Sequence, residues 1–182
     1  MIGESLYKTE GIIISATDLG ELDRLLTIYT RGYGKISVRA ISARKKESKL
    51  RGLIEPFAAG YLTLAKSKTR DILTDIQVSN SFAYLRSNLN NLAHAFYFTE
   101  LIDKLISSPE RDEDVWRLVA RAFEVLNQKR NDLPKIKIAF EDKLVEFLGH
   151  GTASQPKPLQ RLNYLQSLAG EMIKSYKFLT QI

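Results

Sequence analysis

The sequence predicts an α+β protein, a small five-stranded barrel followed by an α-helical bundle. Three observations point there. Before residue 80, short apolar runs alternate with glycine and polar turn signals. After it, apolar residues recur at helical spacing. The cations, meanwhile, crowd one segment of the first part. The expected division is 1–80 and 81–182, in a chain of 182 residues. That length suits one or two domains of ~100–200 residues.

The first expected strand is Tyr7–Ser15, rich in β-branched residues through Ile12, Ile13 and Ile14. Arg24–Thr30 is the second. The corner Arg31-Gly32-Tyr33-Gly34 then supplies residues that tolerate positive φ, as a hairpin requires. Lys35–Ile41 alternates cleanly, with Ile36, Val38 and Ala40 on one face and Lys35, Ser37 and Arg39 on the other. Ala58–Lys66 and Arg70–Val78 complete five strands. Five short strands in about 80 residues suit a closed or partly open barrel.

Four helical stripes follow. Leu89, Leu92, Ala93 and Phe96 begin one that runs through Ile102, Leu105 and Ile106. Val115, Leu118, Val119, Ala122, Phe123 and Leu126 form the second. Pro109 and the acidic residues Glu110, Asp112, Glu113 and Asp114 favour its amino end. Ile136, Phe140, Leu144, Phe147 and Leu148 form the third, entered through Asp132 and Pro134. HGTASQPKP (150–158) reads as a turn or linker, and Leu162, Leu165, Ala169, Ile173 and Tyr176 as a last helix. Four such helices can cover one another's apolar faces.

With 44% hydrophobic residues the chain can bury a core. No stretch approaches the ~18 uninterrupted apolar residues of a membrane span. The opening MIGESLYKTEGIII lacks the features of a signal peptide. The absence of cysteine excludes disulfides and thiolate metal sites and fits a cytoplasmic address. No catalytic constellation, cofactor motif or metal-ligand set is found. Glu21 and Asp23 are read as a turn residue and a partner of Arg24, and His94 as a packed or capping side chain.

The charge is a patch. Between Arg31 and Arg51 stand Arg31, Lys35, Arg39, Arg44, Lys45, Lys46, Lys49 and Arg51, opposed only by Glu47. That local excess surpasses the whole-chain net of +6. Lys66, Lys68 and Arg70 extend it in another expected loop. A solvated loop is the bland explanation. A strand with a cationic outer face leading into such a loop points instead to a polyanion, most commonly nucleic acid. Among the aromatics nearby, Tyr33 and Tyr29 are candidates for base stacking, a contact worth ~1–3 kcal/mol per base, whereas Phe57 is assigned to the core. Three classes fit: a non-enzymatic DNA-binding protein, an RNA-binding module and a protein-interaction scaffold.

The elements EGIII (10–14), GELDRLLTIYT (20–30), GKISVRAIS (34–42), ARKKESKLRGLIEPF (43–57), AFYFTELIDKL (95–105) and FEDKLVEFLGHG (140–151) resemble, in order, the bacterial RecO family of recombination mediators. The resemblance spans roughly residues 7–151. It implies an amino-terminal OB-fold and a helical domain. It further implies binding of single- and double-stranded DNA, strand annealing, and loading of RecA, with RecR, onto DNA coated by single-strand-binding protein in the nucleoid. A groove rimmed by cations such as Arg117, Arg121, Lys129 or Lys143 would receive that protein's acidic tail. Two departures stand out. The four-cysteine zinc motif of many members is missing after Gly149–Gly151, and only one helix is expected beyond Thr152 where others hold several.

Overall fold

The computed structural model describes residues 5–107, 109–151 and 158–181. It divides into two compact units, the described residues of Met1–Ser81 with Ser108–Asp112, and those of Phe82–Ser107 with Glu113–Ile182.

The first unit holds β1 (Leu6–Leu19), β2 (Asp23–Thr30), β3 (Gly34–Ala40), β4 (Ala59–Ala65) and β5 (Ile72–Asn80). They close into a barrel in the order β1-β2-β3-β5-β4. β3 and β5 run parallel and the other pairs antiparallel. This is the OB-fold arrangement. β1 outruns the expected Tyr7–Ser15 because it serves two neighbours. Its first half pairs with β4 and its second with β2. A register shift between Ile13 and Ser15 breaks the two-residue alternation, and Ile12, Ile13 and Ile14 are all buried. The barrel closes at the end of β3, where Arg39 N–H donates to the Asp71 carbonyl at 2.9 Å.

The basic connection between β3 and β4 is built as successive tight turns. Lys45, Ser48 and Arg51 each donate their N–H to the carbonyl three residues back, of Ser42, Lys45 and Ser48. This winding sorts the side chains. Ala43, Leu50 and Ile54 join the barrel core with Leu26, Val38 and Leu64, while Arg44, Lys45, Lys46, Lys49 and Arg51 stay exposed. The cations are thus carried on a segment that plugs the barrel.

The second unit holds α1 (Ala83–Ser87), α2 (Leu89–Leu105), α3 (Glu113–Leu126), α4 (Leu133–Phe147), α5 (Pro158–Ala169) and α6 (Ser175–Thr180). The Asn88 side chain caps α2 and Asp132 caps α4. Two expectations need correction. The stripe beginning at Leu89 holds only in part: Ala93, Ile102 and Ile106 are buried, but Leu89 and Phe96 are exposed and Asn91, Ala95, Tyr97 and Phe98 are buried in their stead. The last stripe is two helices, since the chain turns at Gly170 (φ 68°) between α5 and α6. The expected turn at 150–158 lies largely outside the described residues. Among those described, Glu141 is buried and receives Tyr97 Oη at 2.7 Å, Arg161 Nε at 2.9 Å and Lys137 Nζ at 2.8 Å. That network fastens α5 to α4 and α2. No described helix is long and apolar enough to cross a membrane.

Candidate nucleic-acid interface

The expected cations fall into three groups on the barrel. The first surrounds the β1–β2 turn. Arg44 N–H donates to the Leu22 carbonyl at 2.9 Å, and its guanidinium donates to the carbonyls of Gly20 (3.2 Å) and Glu21 (2.9 Å) and pairs with Asp18 at 3.3 Å. Arg24, expected as a partner of Asp23 and not among the expected DNA-binding cations, pairs with Glu55 at 2.8 Å and Asp18 at 3.5 Å. A cleft of about 310 Å³ between these residues brings Arg24, Arg44 and Arg51 together. Lys45, Lys46, Lys49 and Arg51 make no side-chain hydrogen bond or ion pair among the described residues. Their charge is therefore available to solvent and to anions.

The second group lies on the β2–β3 surface. Arg39 Nε donates to Asp23 Oδ2 at 2.6 Å, and Asp23 Oδ1 accepts the Ser42 N–H at 2.7 Å. Asp23 thus serves Arg39, sixteen residues on, and not its neighbour Arg24 as expected. The Ser42 N–H, and after it Arg39, hold the Asp23 carboxyl below the usual carboxylate range. Lys35 sits further down β3, opposite Tyr29.

The third group is the β4–β5 loop. Lys66 pairs with Asp71 at 2.9 Å and lies 4.6 Å from the centre of the Tyr7 ring. Tyr7 Oη donates to Asp71 Oδ2 at 2.5 Å. Burial opposes the Asp71 charge, but hydrogen bonds from Tyr7, Lys66 and the Ser67 N–H outweigh it and hold the carboxyl low. Burial, and then this hydrogen bond, push the Tyr7 phenol up. Lys68 and Arg70 are exposed, with no hydrogen bond or ion pair from their side chains among the described residues.

Contacts join Gly20 and Glu21 to Arg44, and Ser42 to Asp23, Arg39, the Asp71 backbone and Lys66; the chain itself connects Ser42 to Arg44 two residues on. The track runs from the β1–β2 turn over β3 to the β4–β5 loop, the surface on which OB-folds hold oligonucleotides. Arg31 stands apart, paired with Glu10 at 3.1 Å.

The two candidate stacking rings part company. Tyr33 is 38% exposed and packs edge-on against Tyr7, with centroids 4.7 Å apart. Tyr29 is only 1% exposed and is withdrawn as a stacking residue. It sits on an outward position of β2, but burial, and then the charge of Asp112, push its phenol up. The segment carrying Asp112 lies on the same end of the hairpin, where the Glu110 carbonyl abuts Gly34. Phe57 is buried, as expected. His94 is half-buried in α2, with Nδ1 at 2.8 Å from the Asn90 carbonyl. Among the described residues no group of three or more His, Cys, Asp or Glu is placed to hold a metal.

In the helical unit, Leu118, Ala122 and Val125 of α3 and Ile136, Ala139 and Phe140 of α4 line an apolar groove of about 200 Å³. Arg121 and Lys143 rim it, each also paired along its own helix, with Glu124 and Glu146. Arg117 and Lys129, named with them from the sequence, are not in its lining.

Known proteins match both units. Residues 1–82 fit the family model described as Recombination protein O N terminal, and residues 86–154 the one described as Recombination protein O C terminal. The chain is 30% identical over 171 residues to the DNA repair protein RecO of Pelotomaculum thermopropionicum, covering 93% of this chain and 64% of that protein. It is 30% identical over 147 residues to the RecO of Clostridium kluyveri, covering 81% and 57%. Against the RecO of Trichodesmium erythraeum it is 34% identical over 146 residues, covering 80% and 50%. The chain therefore spans between half and two thirds of these relatives' lengths. With an OB-fold barrel and a helical unit matched in order by the two halves of one family, the chain belongs to the RecO family.

Proposed function

We propose that this chain acts in DNA repair and recombination as a non-enzymatic mediator. The barrel domain, residues 1–80, binds single- and double-stranded DNA through the track just described. Arg39, Arg44, Lys45, Lys46, Lys49, Arg51, Lys66, Lys68 and Arg70 neutralise phosphates, with Lys35 and Arg31 at the margin and Tyr33 stacking on a base. The observation that carries the reading is the set of exposed cations on the β3–β4 connection, Lys45, Lys46, Lys49 and Arg51, whose side chains make no hydrogen bond or ion pair among the described residues. Those four present their field to a polyanion, and the ion-paired but exposed Arg39, Arg44 and Lys66 add a partly offset contribution. Two strands held on one cationic surface have their mutual repulsion screened, which promotes annealing.

The groove between α3 and α4 takes the tail of single-strand-binding protein, an apolar end preceded by acidic residues. Arg121 and Lys143 supply the complementary charge. With RecR, the protein then helps RecA onto DNA in the cytoplasm, at the nucleoid. The test is annealing of complementary oligonucleotides coated with the cognate single-strand-binding protein. Acceleration by this chain is expected. Equal rates with and without it, at low salt, would overturn the mediator reading.

A further inference from the structure

The stacking rings expected from the sequence do not reach the upper end of the track. Tyr29 is buried, and Tyr33 lies at the opposite end of the β2–β3 hairpin. The upper end instead exposes two aliphatic side chains, Leu22 in the β1–β2 turn (42% exposed) and Ile41 just past β3 (46%). Ile41 continues the outward alternation Ser37, Arg39, Ile41 and so shares a face with Arg39. Isolated exposed aliphatics are common on protein surfaces. These two are held in place by the same hydrogen bonds that hold the cations. The Leu22 carbonyl accepts the Arg44 N–H at 2.9 Å, and the Asp23 carboxylate takes both the Ser42 N–H at 2.7 Å and Arg39.

Ser42 itself stands at φ 53°, a left-handed conformation that a non-glycine residue keeps only where its surroundings impose it. The imposed turn reverses the chain directly after Ile41 and sets Arg44 against Leu22. The two exposed aliphatics thus stand on segments that these hydrogen bonds tie together, Leu22 through its own carbonyl to Arg44 and Ile41 on the outward face it shares with Arg39.

Given the DNA-binding reading above, on which this rests, we propose that Leu22 and Ile41 pack against exposed base faces while Arg39 and Arg44 hold the flanking phosphates, so that this end of the track selects unpaired over paired DNA. The chemistry is complementary at both levels. Single strands present apolar base faces alternating with anionic phosphates. In a closed duplex those faces are stacked away and only the phosphates remain for the arginines.

The experiment compares the full chain, the double variant Leu22→Ser with Ile41→Ser, the conservative variant Leu22→Met with Ile41→Val, and Arg44→Ala. Each is titrated with a short single strand and with the matching duplex across a salt series, after its thermal midpoint has been checked. The serine variant is expected to lose ~10-fold in single-strand affinity with little change for duplex and an unchanged salt slope, because every phosphate-binding cation is still present. The conservative variant should keep the preference. Arg44→Ala should weaken both ligands and make the slope shallower by ~0.7–0.9. A folded serine variant with an unchanged ratio of single-strand to duplex affinity overturns the inference and leaves the DNA-binding reading standing. A wild-type chain that binds neither ligand overturns both.

Discussion

Asp23 and Arg39 are joined across β2 and β3, with Nε 2.6 Å from Oδ2, at the point where the barrel surface meets the basic connection. The other oxygen of the same carboxylate accepts the Ser42 N–H. One side chain therefore orients a cation of the track and fixes the chain reversal after it.

This makes Asp23 a pH-sensitive support. Its carboxyl titrates below the ordinary value, so its stabilisation is fully present above the unfolded-state pKa of ~3.9 and is lost as pH falls through the lower folded value. Asp23→Asn should lower the thermal midpoint at neutral pH. The gap to the wild type should close only below the usual carboxylate range. Midpoint curves that stay parallel down to strongly acidic pH would contradict this role.

The cations of the β3–β4 connection should govern the salt dependence of DNA binding. Replacing Arg44, Lys45, Lys46 and Lys49 by Ala is expected to weaken binding and to flatten log K against log salt by ~0.7–0.9 for each phosphate that is no longer neutralised. Titrations at several salt concentrations decide it. Unchanged affinity and slope would remove the connection from the interface.

Glu141 is 1% exposed, and Arg161 reaches both it and Asp142. Arg161→Ala leaves a buried carboxylate short of a partner, so a loss near the lower end of the 3–5 kcal/mol range, about 3 kcal/mol, is expected, because Lys137 remains. Arg161→Lys should lose less, having the charge but not the fork that serves two carboxylates. Urea unfolding measures both. Equal stability of all three proteins would mean that the network holds nothing together.

Gly34 has φ 63°, and a methyl group there would enter the Glu110 carbonyl. Gly52 also has positive φ (78°) but open space around the same position. Gly52→Ala should therefore show only the conformational cost, roughly 1–2 kcal/mol, and Gly34→Ala more than that. Gly34→Ala should also speed tryptic cleavage after Arg111 by unseating the segment. Indistinguishable stabilities and cleavage rates would argue against a seated 109–112 segment.

Patterns of short range are legible in the sequence. The alternation of β3 is a property of consecutive residues, and Val38, Ala40 and Arg39 face the sides that alternation requires. The capping of α4 by Asp132 beside Pro134 is equally local. So is the charge density of residues 31–51, since its cations follow one another closely along the chain.

What tertiary structure alone decided was which charges are cancelled and which surfaces are covered. Arg39 could be matched to Asp23 only once the β2–β3 register was known. Tyr29 stands on an outward strand position and is nonetheless buried, at the end of the hairpin where a segment some eighty residues later in the chain lies. The basic connection looked like an ordinary loop because its three plugging residues, Ala43, Leu50 and Ile54, follow neither the strand nor the helix period. Periodicity is written in neighbouring residues, whereas burial and ion pairing depend on whatever distant chain arrives alongside, and no local pattern encodes that arrival.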